Sequence, residues 1–122
     1  FFIDPYSPNT LAYWTAFNDY QHELGGDPFV GAKLGNLLLA GGYRDVTTKV
    51  MNLLLDNREP RERAEFLEFW TDLLLSGADG LLEAGRVSDQ IVDGMKAELR
   101  AVGRNPDAVF FYSFVQAQAR VY

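Results

Sequence analysis

The hydrophobic pattern of residues 27–50 changes its period midway, from that of a helix to that of a strand. Apolar residues recur every three or four positions between Val30 and Leu38, which places them on one helical face. From Val46 to Val50 apolar and polar residues alternate, as they do in a half-buried strand. The pattern therefore predicts a helix that is followed at once by a strand.

Residues with special backbone preferences mark the limits of this unit. Asp27 can accept hydrogen bonds from the amides of the first turn, and Pro28 suits the first helical position. Gly41 and Gly42 supply the positive φ that commonly ends a helix. We therefore predict one helix, one tight turn and one strand within residues 27–55.

Three further segments with helical spacing predict helices around this unit. The first spans residues 8–24, begins after a Ser-Pro pair and carries a broad aromatic surface. The second spans residues 60–75, and the third spans residues 88–103, with Ser88 as its cap. Between the last two, residues 81–85 can form a short helical turn. The apolar faces of the two later helices comprise Phe66, Phe69, Trp70, Leu73, Leu74, Ile91, Val92, Met95, Leu99 and Val102.

The two ends of the chain read as strands. Val109–Val121 is apolar at successive positions in its first half and alternates in its second half, which is typical of a strand that is covered on both faces only at its start. Phe1–Ile3 resembles the end of a buried strand, so we expect sequence upstream and read the chain as a fragment. The expected fold is an α/β fragment, mainly helical with about four helices, and with two antiparallel C-terminal strands.

Composition narrows the classes of function. The chain has 122 residues, of which 48% are hydrophobic and 14% aromatic, and this favours a packed core over disorder. Its formal charge of −6 without a basic stripe argues against nucleic-acid binding. The absence of cysteine excludes disulfides and thiolate chemistry and fits a reducing compartment, so a cytoplasmic location is expected. No apolar run is long enough for a membrane span.

The central motifs resemble those of a known family. Asp27–Leu34, Leu37-Leu38 and Gly41–Val46 are similar to the late helix and sixth strand of class I S-adenosylmethionine-dependent methyltransferases, closest to the ubiquinone/menaquinone-biosynthesis type. Phe1–Pro8 resembles the segment just after the family's fifth strand. Val109–Val121 resembles its seventh strand, which in the family is inserted antiparallel at the sheet edge.

The resemblance implies a Rossmann-like sheet and a division of the chain into four parts. Residues 1–26 would form a strand end and the aromatic helix, residues 27–55 the helix–strand unit, residues 56–107 the helical cover of the acceptor pocket, and residues 108–122 the final strand. It also implies S-adenosylmethionine as the cofactor of the intact enzyme and a small-molecule methyl acceptor. The glycine-rich cofactor loop is not in this chain, so we expect no cofactor-binding residues and no activity from the chain alone.

The candidate site residues each have a structural alternative. His22 is the only histidine and a weak candidate for a general base, although near a helix C-terminus it can simply stabilise the helix dipole. Asp27 can contact an acceptor or cap a helix. Five aromatic residues could line a pocket for a flat or apolar acceptor, or could form the core of the helical layer. These substrate-binding candidates are Tyr13, Trp14, Phe17, Phe29 and Trp70.

Other kinds of site find little support in the sequence. There is no cluster of histidines or cysteines to suggest a metal site, and no Ser-His-Asp pattern. The charged run of residues 58–68 is predicted to be a solvated helix face, and it comprises Arg58, Glu59, Arg61, Glu62, Arg63, Glu65 and Glu68.

A function of a different class stays open beside the methyltransferase interpretation. The chain could be a stand-alone helical module that binds a ligand or a protein. Such a module would use its free strand edge to pair with another copy. We expect the folded chain to self-associate as a homo-oligomer through an exposed strand edge or its aromatic surface. The residues that separate the two interpretations are Phe110–Phe114, which a stand-alone module must bury within the chain or by dimerisation.

Overall fold

A three-stranded antiparallel sheet and five α-helices make up residues 1–121, the part of the chain that the computed structural model describes. The chain is thus of the α/β class, as predicted. The sheet has three strands, one more than the two C-terminal strands expected, because the N-terminal segment that was interpreted as a strand end pairs with the last strand. The elements in order are β1 (Phe2–Asp4), α1 (Pro8–Glu23), a 3₁₀ turn (Val30–Lys33), α2 (Leu34–Ala40), β2 (Arg44–Leu55), α3 (Pro60–Leu75), α4 (Ala78–Glu83), α5 (Asp89–Arg104) and β3 (Val109–Arg120).

The third strand forms because β3 lies in the middle of the sheet and has free backbone groups on both sides. The strand order is β1-β3-β2, and β3 is antiparallel to both neighbours. Phe110 lies opposite Ile3 on one side and opposite Leu55 on the other. β1 pairs with β3 only along Val109–Phe111, whereas β2 follows β3 to its end.

The helices cover the two faces of the sheet unequally. The hydrophobic core lies between the face that carries Phe110 and Leu55 and the layer formed by α1, α3, α4 and α5. α2 lies on the opposite face, where a Cβ on Gly35 would be 3.1 Å from the Thr48 side chain. Among residues 1–121, no helix has the length and apolarity to cross a membrane.

The helix predicted from Pro28 onward begins later than expected. The Asp27 carboxylate accepts a hydrogen bond from the Phe29 amide at 3.0 Å and pairs with the Lys33 ammonium at 2.8 Å. Asp27 therefore stabilises a local turn, as short carboxylate side chains commonly do. The backbone passes through a 3₁₀ turn, and regular α-helix starts only at Leu34.

The turn between α2 and β2 uses one of its two glycines for the left-handed conformation. Gly42 has φ +81°, while Gly41 keeps a helical φ of −77°. Asp45 also has a positive φ, +51°, at the irregularity where the pairing of β2 with β3 shifts between Arg44 and Thr47. The strand then runs without a further shift in register to Leu55, as the sequence predicted.

One member of the charged run is buried, and the prediction of a solvated face is wrong for it. Arg63 on α3 is only 1% exposed. Its guanidinium donates to the Asn105 carbonyl at 2.8 Å and to the Ala108 carbonyl at 3.4 Å. Arg63 thereby joins the start of α3 to the loop between α5 and β3.

Candidate functional site

Six aromatic rings form a continuous row where the helical layer meets the sheet, and we call them the aromatic row. The centroids of neighbouring rings are 5.0 to 6.2 Å apart, a spacing at which aromatic side chains attract one another. The members in order are Phe29, Trp14, Phe1, Trp70, Tyr112 and Phe114.

Five separate parts of the chain position these rings, and Phe29 comes from the segment just before the 3₁₀ turn. Trp14 projects from α1 and Trp70 from α3, and Phe1 packs between the two at 5.0 and 5.1 Å. Tyr112 and Phe114 are two residues apart on β3, so their side chains leave the same face of the sheet as Phe110. The row therefore depends on the pairing of β1 with β3 and on the packing of α1 and α3 over them.

The row is buried at its centre and open at its two ends. Trp70 is 4% exposed, whereas Phe29 is 52% and Phe114 is 48% exposed. Met51 on β2 lies opposite Phe114 and is 47% exposed, which widens the apolar surface at that end. A buried anchor with exposed flanking rings provides a firm surface on which a flat apolar group can stack.

A polar residue limits the apolar surface along the sheet. Lys49 lies two residues before Met51 on β2, so it leaves the same face, and its partner across the sheet is Gln116. At the opposite end, the Phe29 amide donates to the Asp27 carboxylate, which also pairs with Lys33. Charged residues thus neighbour the chain segments at both ends of the aromatic row.

The structure brings three of the five predicted aromatic residues together. Trp14, Phe29 and Trp70 belong to the row, whereas Tyr13 and Phe17 stack on each other at 6.2 Å on another side of α1. The Tyr13 side chain is completely buried, and its hydroxyl donates to the Leu74 carbonyl. Burial raises the pKa of Tyr13 to about 12.

His22, the weak candidate for a general base, is exposed in the last turn of α1. Within residues 1–121 its side chain has no hydrogen-bond partner, and the carboxylates near it are those of Glu23 and Asp27. The pKa of Asp27 is lowered, mainly by a hydrogen bond from Lys33 and then by one from the Phe29 amide. The charges of Lys33 and His22 contribute less. His22 lies outside the row and faces solvent.

Three members of the row were not among the predicted site residues. The sequence places Phe1, Tyr112 and Phe114 in predicted strands and gives no sign that they belong to a binding site. The signal that could have identified Tyr112 and Phe114 is their spacing of two from Phe110, which predicts one shared face. No local signal could have placed Phe1, because its neighbours Trp14 and Trp70 come from distant segments.

The residues of this chain do not fit the cofactor that the resemblance implies. The two strand-to-helix connections, residues 5–7 and 56–59, contain no glycine, and a phosphate-binding loop needs glycine at that place. The first-turn amides of α1 are already bound by the carboxylate of Glu98. In the described part of the chain there is also no group of three or more potential metal ligands.

Comparison with known proteins adds no family assignment. No family model matches the chain. No curated protein matches it in sequence either. A functional assignment therefore depends on the geometry of the aromatic row and of the sheet.

Proposed function

We propose that these residues form the acceptor-binding, C-terminal part of a class I S-adenosylmethionine-dependent methyltransferase that acts on a small molecule with a flat apolar portion. The aromatic row is the wall on which this acceptor lies. The cofactor is held by polypeptide outside the 122 residues, and the chain alone is inactive. The observation that carries the proposal is the row itself, with its buried Trp70 and its exposed Phe29 and Phe114.

The sheet topology supports the same proposal. β3 lies antiparallel between β1 and β2, in keeping with the antiparallel last strand of the family that the sequence resembles. The face opposite the helical layer carries Phe2, Phe111 and Leu54 side by side on the three strands. Phe2 is 55% and Leu54 is 49% exposed there. Sheets of methyltransferase type are covered on both faces. Further structure packed over Phe2, Phe111 and Leu54 would complete the covering of this second face.

The chain contributes to the reaction by binding and by excluding water. When it is bound, the cofactor supplies an electrophilic methyl group for an oxygen, nitrogen or carbon nucleophile. The aromatic row fixes the plane of the acceptor, and Trp14 and Phe114 shield it from solvent. We assign no catalytic base, because His22 faces solvent away from the row.

Photochemical labelling of the native polypeptide tests this proposal. The polypeptide that contains residues 109–122 is isolated from its source cells, its intact mass is measured, and it is irradiated with methyl-tritiated S-adenosylmethionine. We expect a mass well above 13.7 kDa and a label that unlabelled S-adenosylmethionine displaces. A native polypeptide of 13.7 kDa that takes up no label would overturn the proposal.

A self-associating binding module is the second candidate, and one observation favours it. β2 is an edge strand of twelve residues that is paired on one side only, which makes it a template for another strand. Phe110 is completely buried within the chain, whereas Phe114 is not. Light scattering of the purified chain tests this candidate, since the module is expected to be a stable dimer and a monomer at micromolar concentration counts against it.

A further inference from the structure

A cleft of about 500 Å³ lies between α3 and α5, apart from the aromatic row. The two helices run antiparallel and approach most closely where both carry small residues, Ala64 and Gly103. A Cβ on Gly103 would be 3.5 Å from the Ala64 Cα. Leu67 and Leu99, each almost completely buried, form the floor beside this contact. The cleft is therefore a shallow depression with a rigid apolar base.

The two walls of the cleft carry opposite charges. α3 contributes Glu68 and Asp72, which are four residues apart and therefore neighbours on one helical face. α5 contributes Lys96, Arg100 and Arg104 at the same spacing. One wall is thus acidic and the other basic, along about two turns of each helix.

No ion pair joins these five charged side chains within residues 1–121. The ion pairs within residues 1–121 lie elsewhere, at Lys33–Asp27, Arg58–Asp56, Arg86–Glu23 and Arg120–Asp45. None of the five makes a side-chain hydrogen bond within that part of the chain. The cleft of about 500 Å³ that these side chains line leaves room for a small molecule between the charged groups.

We propose that this cleft binds a small zwitterion, in which an ammonium group and a carboxylate or phosphate are joined by a short apolar chain. The ammonium lies against Glu68 and Asp72, the anionic group lies against Lys96 and Arg100, and the chain crosses the leucine floor. A simple anion is repelled by the acidic wall, and a simple cation is repelled by the basic wall. The volume falls within the range of small-ligand sites.

Amide NMR titration of the purified chain tests the proposal with 6-aminohexanoate as the probe. Hexanoate and hexylammonium are the matched controls that lack one charge. We expect shifts at residues 64–75 and 96–104, and binding that is about tenfold tighter for the zwitterion than for either control. Equal binding of all three probes, or shifts outside the two helices, would overturn the proposal.

Two substitutions on the walls and one outside them complete the test. Asp72→Asn and Arg100→Gln each remove one charge from an exposed position. Each is expected to weaken the binding of 6-aminohexanoate to the level of hexanoate and hexylammonium. Arg61→Gln, on α3 but away from the cleft, is expected to leave binding unchanged. Wall variants that bind normally would overturn the proposal, and so would a concentration-dependent dimer that Arg100→Gln abolishes. The probe involves no methyl transfer, so its failure leaves the proposed function untouched.

Discussion

The carboxylate of Glu98 accepts a hydrogen bond from the backbone amide of Thr10 at 2.8 Å, although 88 residues separate the two. The same carboxylate accepts a hydrogen bond from the Thr10 hydroxyl at 3.1 Å. It also accepts one from the Asn9 backbone amide at 3.1 Å and one from the Asn9 side-chain amide at 3.0 Å. Glu98 on α5 therefore caps the N-terminus of α1, where a negative charge is favourable. The local residue Ser7 does not take this role, because its hydroxyl donates to the Pro5 carbonyl at 2.9 Å.

Loss of this cap should destabilise the whole helical layer. Glu98→Ala removes a partly buried acceptor from two helix amides, and we expect the free energy of unfolding to fall by about 1–3 kcal/mol. Urea denaturation measures the change. Glu83→Ala, an exposed carboxylate in α4, is the control and should shift stability by less than about 0.5 kcal/mol. Equal effects of the two substitutions would show that the cap contributes nothing.

The contact between α1 and α5 requires a glycine. A Cβ on Gly94 would lie 2.5 Å from the Asn9 amide nitrogen and 3.0 Å from the Asn9 Cβ. Alanine in a helix interior is normally favoured over glycine by about 1 kcal/mol, but Gly94→Ala should destabilise the protein by about 1–3 kcal/mol because it separates the helices.

The matched control for this substitution is Gly80→Ala in α4. Its new Cβ would meet only the Tyr20 ring, at 3.7 Å, which is an ordinary contact. Thermal unfolding should therefore show a higher midpoint for Gly80→Ala and a lower one for Gly94→Ala. A Gly94→Ala protein as stable as the unmodified chain would contradict the tight packing of α1 on α5.

Burial of Tyr13 makes stability depend on pH at the alkaline end. Its pKa is raised to about 12 in the folded chain, above its usual value of 10.0. Between these values the unfolded chain releases the proton and the folded chain retains it, so stability is full below pH 10 and declines as the pH rises toward 12. Tyr13→Phe should remove this decline, whereas Tyr6→Phe, which alters an exposed ring, should leave it. An unchanged alkaline profile in Tyr13→Phe would contradict the assignment.

The Phe114 end of the aromatic row should bind flat apolar molecules. We expect 2-naphthol to quench the fluorescence of Trp70, which is separated from Phe114 only by Tyr112. We expect Phe114→Ala to weaken the binding of 2-naphthol about tenfold through loss of stacking area. Phe69→Ala removes a ring of similar exposure, 61%, from outside the row and should leave binding unchanged. Equal weakening by both substitutions would indicate non-specific adsorption to exposed aromatic rings.

Local sequence signals predicted the elements whose ends are fixed locally. α3 begins at Pro60, and α5 begins after Ser88, whose hydroxyl accepts the Ile91 amide at 3.2 Å. β2 begins just after the two glycines and extends to Leu55, beyond Val50 where the alternating pattern ends. In each case the signal and the structure involve residues that are close in sequence.

Features that depend on distant partners could not be predicted in this way. The sequence indicated a strand at Phe1–Ile3 but not its partner β3, and α1 is capped by Glu98, which comes from the distant helix α5. The predicted apolar face of α3 is wider than the face that is actually buried. Phe69 and Leu73 are more than half exposed, while Trp70 is buried. The period of the pattern gives a direction for each side chain, but the packed neighbour decides whether it is covered.

Methyl transfer by the native polypeptide tests the central claim most directly. The polypeptide is incubated with methyl-tritiated S-adenosylmethionine and the small-molecule extract of its source cells, and tritium in the organic-soluble fraction is counted. We predict time-dependent labelling of an apolar product, and a Phe114→Ala variant that needs a higher extract concentration for half-maximal rate while its cofactor binding is unchanged. An absence of labelled product with the intact polypeptide, or a Phe114→Ala variant indistinguishable from the parent, would contradict the role of the aromatic row as the acceptor wall.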